Sequence, residues 1–165
     1  MKHFWLASLF FIASVQSAEA TEIFFSKVPE LKRSATDNFS SAYNYARYTF
    51  EVTVPVESGA SLGGLVIGIP FGIRLPSPDY IQAVSGDGKP VALKTIQVTS
   101  GAVRLGFAEA IAPGGQVNIE FYPMRNPRTG GTFLFEVTAL PAGETVHPQF
   151  LSYGRITFYS PGGRR

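Results

Sequence analysis

The chain has 165 residues, of which 14 are basic and 12 acidic, and it contains no cysteine. A net charge of only +2, with lysines and arginines scattered among carboxylates, excludes the basic face that a nucleic-acid partner requires. The lack of cysteine excludes disulfides, thiol nucleophiles and thiolate metal sites. The stability of the fold must therefore come from apolar packing.

Residues 1–20 have the pattern of a cleavable secretory signal peptide. Lys2 begins a short basic start before an apolar run over residues 4–15, which is too short to span a bilayer. Ala18 and Ala20 supply the small side chains that a signal peptidase accommodates, so we expect cleavage after Ala20. No cysteine follows the run, so no lipid anchor is expected. The pattern predicts an exported protein without a stable membrane anchor, periplasmic or extracellular, with a thylakoid lumen as the alternative compartment.

The rest of the chain, residues 21–160, has the length of one domain and shows strand patterns separated by turn signals. Apolar and polar side chains alternate most clearly over residues 48–54, 117–122 and 133–138, which predicts half-buried strands. Weaker strand patterns cover residues 23–27, 65–69, 91–98, 103–107 and 155–159.

About eight short strands in a cysteine-free domain predict an all-β fold. Two antiparallel sheets packed face to face, as an immunoglobulin-like antiparallel β-sandwich, fit this pattern best, and a barrel is the alternative. Only residues 40–46 offer a helical turn or two, and residues 161–165 are expected to form a flexible tail. The sequence therefore predicts one β-sandwich domain between the signal peptide and the tail.

Few residues suited to catalysis or metal binding remain once the signal peptide is removed. His147 is then the only histidine and precedes a proline, which argues against a Ser-His arrangement. His147 and Met124 do not suffice for a copper site, and the isolated Asp37, Asp79 and Asp87 do not form a calcium loop. Asp87, flanked by glycines, is instead expected in a hairpin turn. No metal or cofactor is predicted.

Three glutamates, Glu51, Glu120 and Glu136, lie on the polar faces of predicted strands. Two of them placed on either side of one glycosidic bond would make a carboxylate-dependent hydrolase. The simpler interpretation is that each is solvated or paired across neighbouring strands. The hydrolase is kept as an alternative to a non-enzymatic protein.

Arg125 and Arg128 are the first candidates for ligand binding. A turn at 126–127 and paired glycines at 130–131 place both arginines on a loop between two strands. Two guanidinium groups on one loop can hold a phosphate, an acidic glycan or a partner carboxylate through bidentate hydrogen bonds. The alternative is a structural role, in which each arginine pairs with a nearby glutamate, such as Glu120, or packs over an aromatic ring.

Tyr43, Tyr45 and Tyr48 form the second candidate group. Their spacing does not place all three on one face of an extended chain, so at least one belongs in the core. Tyr43 and Tyr45 are the candidates for exposure, where a ring can stack on a sugar or anchor a protein interface.

The C-terminal part of the chain carries a recognisable series of motifs. Arg-Asn-Pro-Arg at 125–128 is followed by two glycines, Phe-Leu-Phe at 133–135, Pro-Ala-Gly-Glu at 141–144 and Gly-Arg at 154–155. In this order, over residues 123–159, the chain resembles a family of exported cyanobacterial proteins known as domain of unknown function 2808. The resemblance implies membership of that family and assigns no catalytic or binding residue.

Together these features predict an exported, non-enzymatic envelope protein that acts as a binding or structural module. The first alternative is a binder of acidic glycan or cell wall that uses Arg125, Arg128, Tyr43 and Tyr45. The second is the carboxylate-dependent hydrolase. The expected partner is an envelope protein or a polysaccharide.

Overall fold

The computed structural model describes residues 22–160. The predicted signal peptide, with Ala18 and Ala20, and the predicted tail at 161–165 lie outside the described residues. Within the described range the chain forms ten β-strands and one short 3₁₀ helix, Pro78–Tyr80, and no helix is long and apolar enough to cross a membrane. The strands are β1 (Glu30–Thr36), β2 (Ala46–Thr53), β3 (Leu62–Gly68), β4 (Ile81–Ser85), β5 (Pro90–Val91), β6 (Leu93–Val98), β7 (Ala102–Ile111), β8 (Gln116–Met124), β9 (Gly131–Pro141) and β10 (Gln149–Phe158).

The strands form two separate five-stranded sheets rather than one closed barrel. The first sheet has the order β1-β2-β8-β4-β5, and the second has the order β10-β9-β3-β7-β6. Neighbouring strands are antiparallel in both sheets. The predicted all-β, immunoglobulin-like sandwich is therefore confirmed, with ten strands in place of about eight.

β2 shows how the alternating pattern builds the core between the sheets. Its Tyr48, Phe50 and Val52 side chains are fully buried, and the residues between them are partly exposed. The Phe50 ring centroid lies 5.5 Å from that of Phe121 in its own sheet and 5.3 Å from that of Phe135 in the opposite sheet. Burial of each such side chain contributes about 1.5–3 kcal/mol, and aromatic pairs add about 0.5–1.5 kcal/mol. These rings hold the two sheets together in a chain that has no disulfide.

Two local predictions are wrong. Residues 23–27 form no strand, and their one β-type pairing is an isolated bridge between Ile23 and Val146. Residues 40–46 form a turn that leads into β2, not a helix. Ala42 there has a φ of 62°, outside the helical region, and its N–H bonds to a carbonyl in the β8–β9 connection instead of a local one.

The strand patterns also leave out β1 and β4. β1 is an edge strand with mostly exposed or half-buried side chains, so its sequence tolerates charge at several positions. β4 has five residues, of which only Ile81 and Ala83 are buried. β1 has only two apolar residues, and β4 is too short for an alternation over one or two pairs to stand out.

Candidate anion-binding site

Three connections meet at one end of the sandwich. Residues 125–130, called the arginine loop from here on, join β8 to β9, residues 37–45 lead into β2, and residues 69–80 join β3 to β4. β2 and β4 are both antiparallel to β8, and β3 is antiparallel to β9. In an antiparallel pair the end of one strand lies beside the start of its neighbour, so these connections lie at the same end of the fold.

A buried asparagine fixes the arginine loop. Asn126 is 1% exposed, and its Nδ2 donates hydrogen bonds to the carbonyl oxygens of Asn38 at 2.9 Å and Ser40 at 2.7 Å. Its Oδ1 accepts a 2.9 Å bond from the hydroxyl of Tyr48, whose ring lies in the core. Burial raises the pKa of the Tyr48 phenol above its ordinary range, so the hydroxyl keeps the proton that it donates. Both donors of the amide and its oxygen are thus used, as burial of a polar group requires.

Backbone hydrogen bonds connect the arginine loop to the tyrosine-bearing segment before β2. The Asn126 N–H donates to the carbonyl oxygen of Tyr43, and the Ala42 N–H donates to that of Pro127, both at 2.8 Å. At the far end of the loop, the Gly130 N–H donates to Oγ of Ser160 at 3.2 Å. The loop is held at three points, so its arginines are displayed from a fixed backbone.

One cleft beside the loop has a volume of about 610 Å³. Its walls include Tyr45, Tyr80 and Ser77, together with the guanidinium-bearing Arg74 and Arg125. Tyr45 is 63% exposed and Tyr80 49% exposed, so both rings are open to solvent. We call this space the tyrosine cleft.

A second cleft, of about 430 Å³, adjoins the first. It is lined by Phe71, Phe133 and three arginines, Arg74, Arg125 and Arg128, and we call it the phenylalanine cleft. Phe71 is fully exposed. Phe71 precedes Gly72, whose φ of 90° lies in the region that favours glycine. Both residues lie in a turn that is closed by a 3.1 Å hydrogen bond from the Ile73 N–H to the carbonyl oxygen of Pro70.

The arginines of the two clefts have no carboxylate partners within residues 22–160, and no carboxylate lines either cleft. Glu120, which the sequence offers as a partner for the loop, is bound instead by Arg47 Nη1 at 2.8 Å and by Gln82 Nε2 at 2.9 Å. Arg47 also lies 4.8 Å from the ring centroid of Tyr122. Arg47 has the structural role considered for the loop arginines, and Arg74, Arg125 and Arg128 leave their donors to solvent or a ligand.

The residues predicted as ligand contacts come together only in part. Arg125 lines both clefts, Arg128 lines the phenylalanine cleft and Tyr45 lines the tyrosine cleft. Tyr43 lines neither, although it is 40% exposed and packs edge-on against Tyr45 with centroids 6.5 Å apart. Tyr48 is the buried member of the three tyrosines, as their spacing requires.

Sequence reasoning missed Arg74, Phe71 and Tyr80, which all belong to the connection at 69–80. A signal was present there, because this connection is long and contains Pro70, Pro76 and Pro78. Long ordered loops that carry exposed aromatic residues are disproportionately involved in binding.

The glutamates of the hydrolase hypothesis are distributed over two surfaces. Glu51 and Glu120 lie on the outer face of the first sheet, where Glu51 accepts a 3.0 Å bond from Gln116 Nε2. Glu136 is exposed on the outer face of the second sheet. Since the sandwich separates Glu136 from the other two, it cannot act with either on one bond. Among the described residues, no three His, Asp or Glu side chains are placed to hold a metal ion.

The sequence matches a known protein family. A family model described as Protein of unknown function (DUF2808) matches residues 22–158. The chain belongs to this family. The match includes the arginine loop and the connection at 69–80, so both clefts lie within the DUF2808 domain. No curated protein matches the sequence.

Three solved structures show similarity to this DUF2808 domain. The RrgA Jo.In complex matches with a TM-score of 0.48 and 10% identity over 78% of this chain and 76% of the other. The Corynebacterium diphtheriae major pilin SpaA matches with a TM-score of 0.44 and 20% identity over 71% and 33%. The collagen-binding domain of a Staphylococcus aureus adhesin matches with a TM-score of 0.42 and 10% identity over 84% and 99%. At these identities and scores the similarities do not bear on function.

Proposed function

We propose that this protein is an exported, non-enzymatic module that binds an acidic polysaccharide of the cell envelope. The observation that carries the proposal is the group of Arg74, Arg125 and Arg128 around two clefts that no carboxylate of residues 22–160 lines. Export rests on the signal-peptide pattern of residues 1–20. The other parts of the proposal rest on the chemistry of the clefts.

Acidic sugars match the clefts both in charge and in apolar surface. A guanidinium group binds a carboxylate or sulfate through two parallel hydrogen bonds, and such charge-assisted bonds are stronger than neutral ones. The exposed rings of Tyr45, Tyr80 and Phe71 provide flat apolar surfaces for the less polar faces of a sugar. Each cleft also has the volume of a small-molecule site, about 300–1,000 Å³.

The test measures binding of the purified protein to three polysaccharides by calorimetry. Polygalacturonate carries carboxylates, dextran sulfate carries sulfates, and dextran is neutral. We expect binding to one or both acidic polymers and none to dextran, with an affinity that falls as salt is added. The preferred acidic polymer then identifies the anionic group.

Arginine variants link this binding to the clefts. Replacing Arg74, Arg125 or Arg128 with Ala should weaken binding about tenfold or more, because a hydrogen bond to a charged group is lost. Arg33→Ala is the matched control, since Arg33 is exposed on β1 and lines neither cleft. All four variants should keep the melting temperature of the parent. Equal losses for Arg33→Ala and the cleft variants, or no binding to either acidic polymer, would refute the proposal.

A further inference from the structure

The two clefts have a common wall. Arg74 and Arg125 line both of them, whereas Tyr45 and Tyr80 belong to one cleft and Phe71 to the other. A ligand bound to the two shared arginines therefore has an aromatic surface available in each direction. Arg128 lines only the phenylalanine cleft, so the positive charge extends in one of those directions.

The exposed aromatic residues are presented by rigid backbone. Pro70, Pro76 and Pro78 restrict φ in the connection that carries Phe71 and Tyr80. The buried side chain of Asn126 fixes the opposite wall. Little backbone entropy therefore remains to be lost when such a surface binds a ligand, so both aromatic walls are available to one bound chain.

We propose that the two clefts are adjacent subsites for successive units of one linear acidic polysaccharide. This inference rests on the proposed function and specifies how the ligand is bound. An acidic group at the junction binds Arg74 and Arg125, one sugar ring packs beside Tyr45 and Tyr80, and the next packs beside Phe71. The acidic group of the unit in the phenylalanine cleft binds Arg128.

The test uses galacturonic acid and its linear oligomers, titrated into the purified protein and followed by NMR. Two adjacent subsites predict that the dimer binds at least about tenfold more tightly than the monomer, because the second unit binds at a high effective concentration. Oligomers longer than the two subsites should gain much less per added unit. If the sulfated polymer is the one preferred, the same series is run with sulfated oligosaccharides.

Aromatic variants assign the subsites. Phe71→Ala and Tyr45→Ala should each weaken dimer binding by about 2- to 12-fold, the equivalent of one aromatic contact. Arg128→Ala should weaken the dimer far more than the monomer. Tyr153→Ala is the matched control, because Tyr153 is similarly exposed but lies on β10, outside both clefts.

The outcomes separate this inference from the proposed function. If the acidic polymer binds but the dimer is no tighter than the monomer, or only one of Phe71 and Tyr45 affects the dimer, the two-subsite arrangement is wrong while polysaccharide binding stands. If no acidic polymer binds, the proposed function itself fails. Dimer binding that depends on both aromatic residues and on Arg128, but not on Tyr153, supports the inference.

Discussion

The hydroxyl of Tyr48 donates a 2.9 Å hydrogen bond to Oδ1 of Asn126 inside the protein. Tyr48 belongs to the aromatic core, with its ring centroid 5.9 Å from that of Phe135, and Asn126 belongs to the arginine loop. This one bond therefore connects the packing of the two sheets to the backbone that displays Arg125 and Arg128.

Tyr48→Phe should destabilise the protein by about 1–3 kcal/mol, since it leaves the buried Oδ1 of Asn126 without its donor. The ring itself is retained, so the loss reports on the hydrogen bond and not on a cavity. Urea denaturation measures the change in free energy of unfolding. The control Tyr153→Phe removes a hydroxyl from an exposed ring and should change stability by less than about 0.5 kcal/mol. Equal stabilities of the two variants would contradict the role assigned to the bond.

Asn126→Asp should lower the free energy of unfolding more than Tyr48→Phe at neutral pH. It replaces a buried NH₂ group, which donates to the carbonyl oxygens of Asn38 and Ser40, with a carboxylate that cannot donate. Burial and the carbonyls raise the pKa of the new carboxyl above its unfolded value. The deficit in stability relative to the parent is therefore smallest below pH ~4 and grows as pH rises toward the folded pKa of the new carboxyl. Denaturation at several pH values measures the free energy of unfolding of the variant and of the parent. Asn44→Asp, at an exposed position, is the control. A pH-independent deficit would contradict it.

Ala42→Gly should stabilise the protein slightly, although glycine is normally destabilising. Ala42 has a φ of 62°, which costs a non-glycine residue about 1–2 kcal/mol, and glycine loses about 0.5–1 kcal/mol more backbone entropy on folding. The expected net gain is therefore up to about 1.5 kcal/mol. Ala108→Gly, on an exposed position of β7, should instead be destabilising. Thermal and urea denaturation compare the stabilities of the two variants. A loss of stability in both variants would show that Ala42 is not strained.

The carboxyl of Asp87 should titrate near pH 2. Hydrogen bonds from the Lys89 ammonium and the Ser85 hydroxyl lower its pKa from the ordinary 3.8 to about 2. Its contribution to stability is therefore present above pH ~4 and is lost as pH falls toward 2. NMR titration of the side-chain carboxyl measures the midpoint directly. Lys89→Ala should move the midpoint back toward 3.8, and an unchanged midpoint would mean that the contact is absent in solution.

Several features followed from local sequence alone. A period of two predicts β2, β8 and β9 because alternate side chains on a strand face the same layer. The glycines around Asp87 predict the turn between β4 and β5, where the Gly88 N–H bonds to the Ser85 carbonyl at 2.9 Å. Each pattern depends on a few consecutive residues, so long-range contacts do not alter it.

Local sequence patterns predict the sandwich class, the exposed arginine loop and the burial of at least one tyrosine before it. The tertiary fold brings Arg74 and Phe71, some fifty residues earlier in the chain, into the same cleft as Arg125. It also decided that Glu120 pairs with Arg47 and that Glu136 lies on the other sheet. The physical reason is strand order. Pairing of β3 with β9 and of β4 with β8 brings distant connections together, and no local period encodes which strands become neighbours.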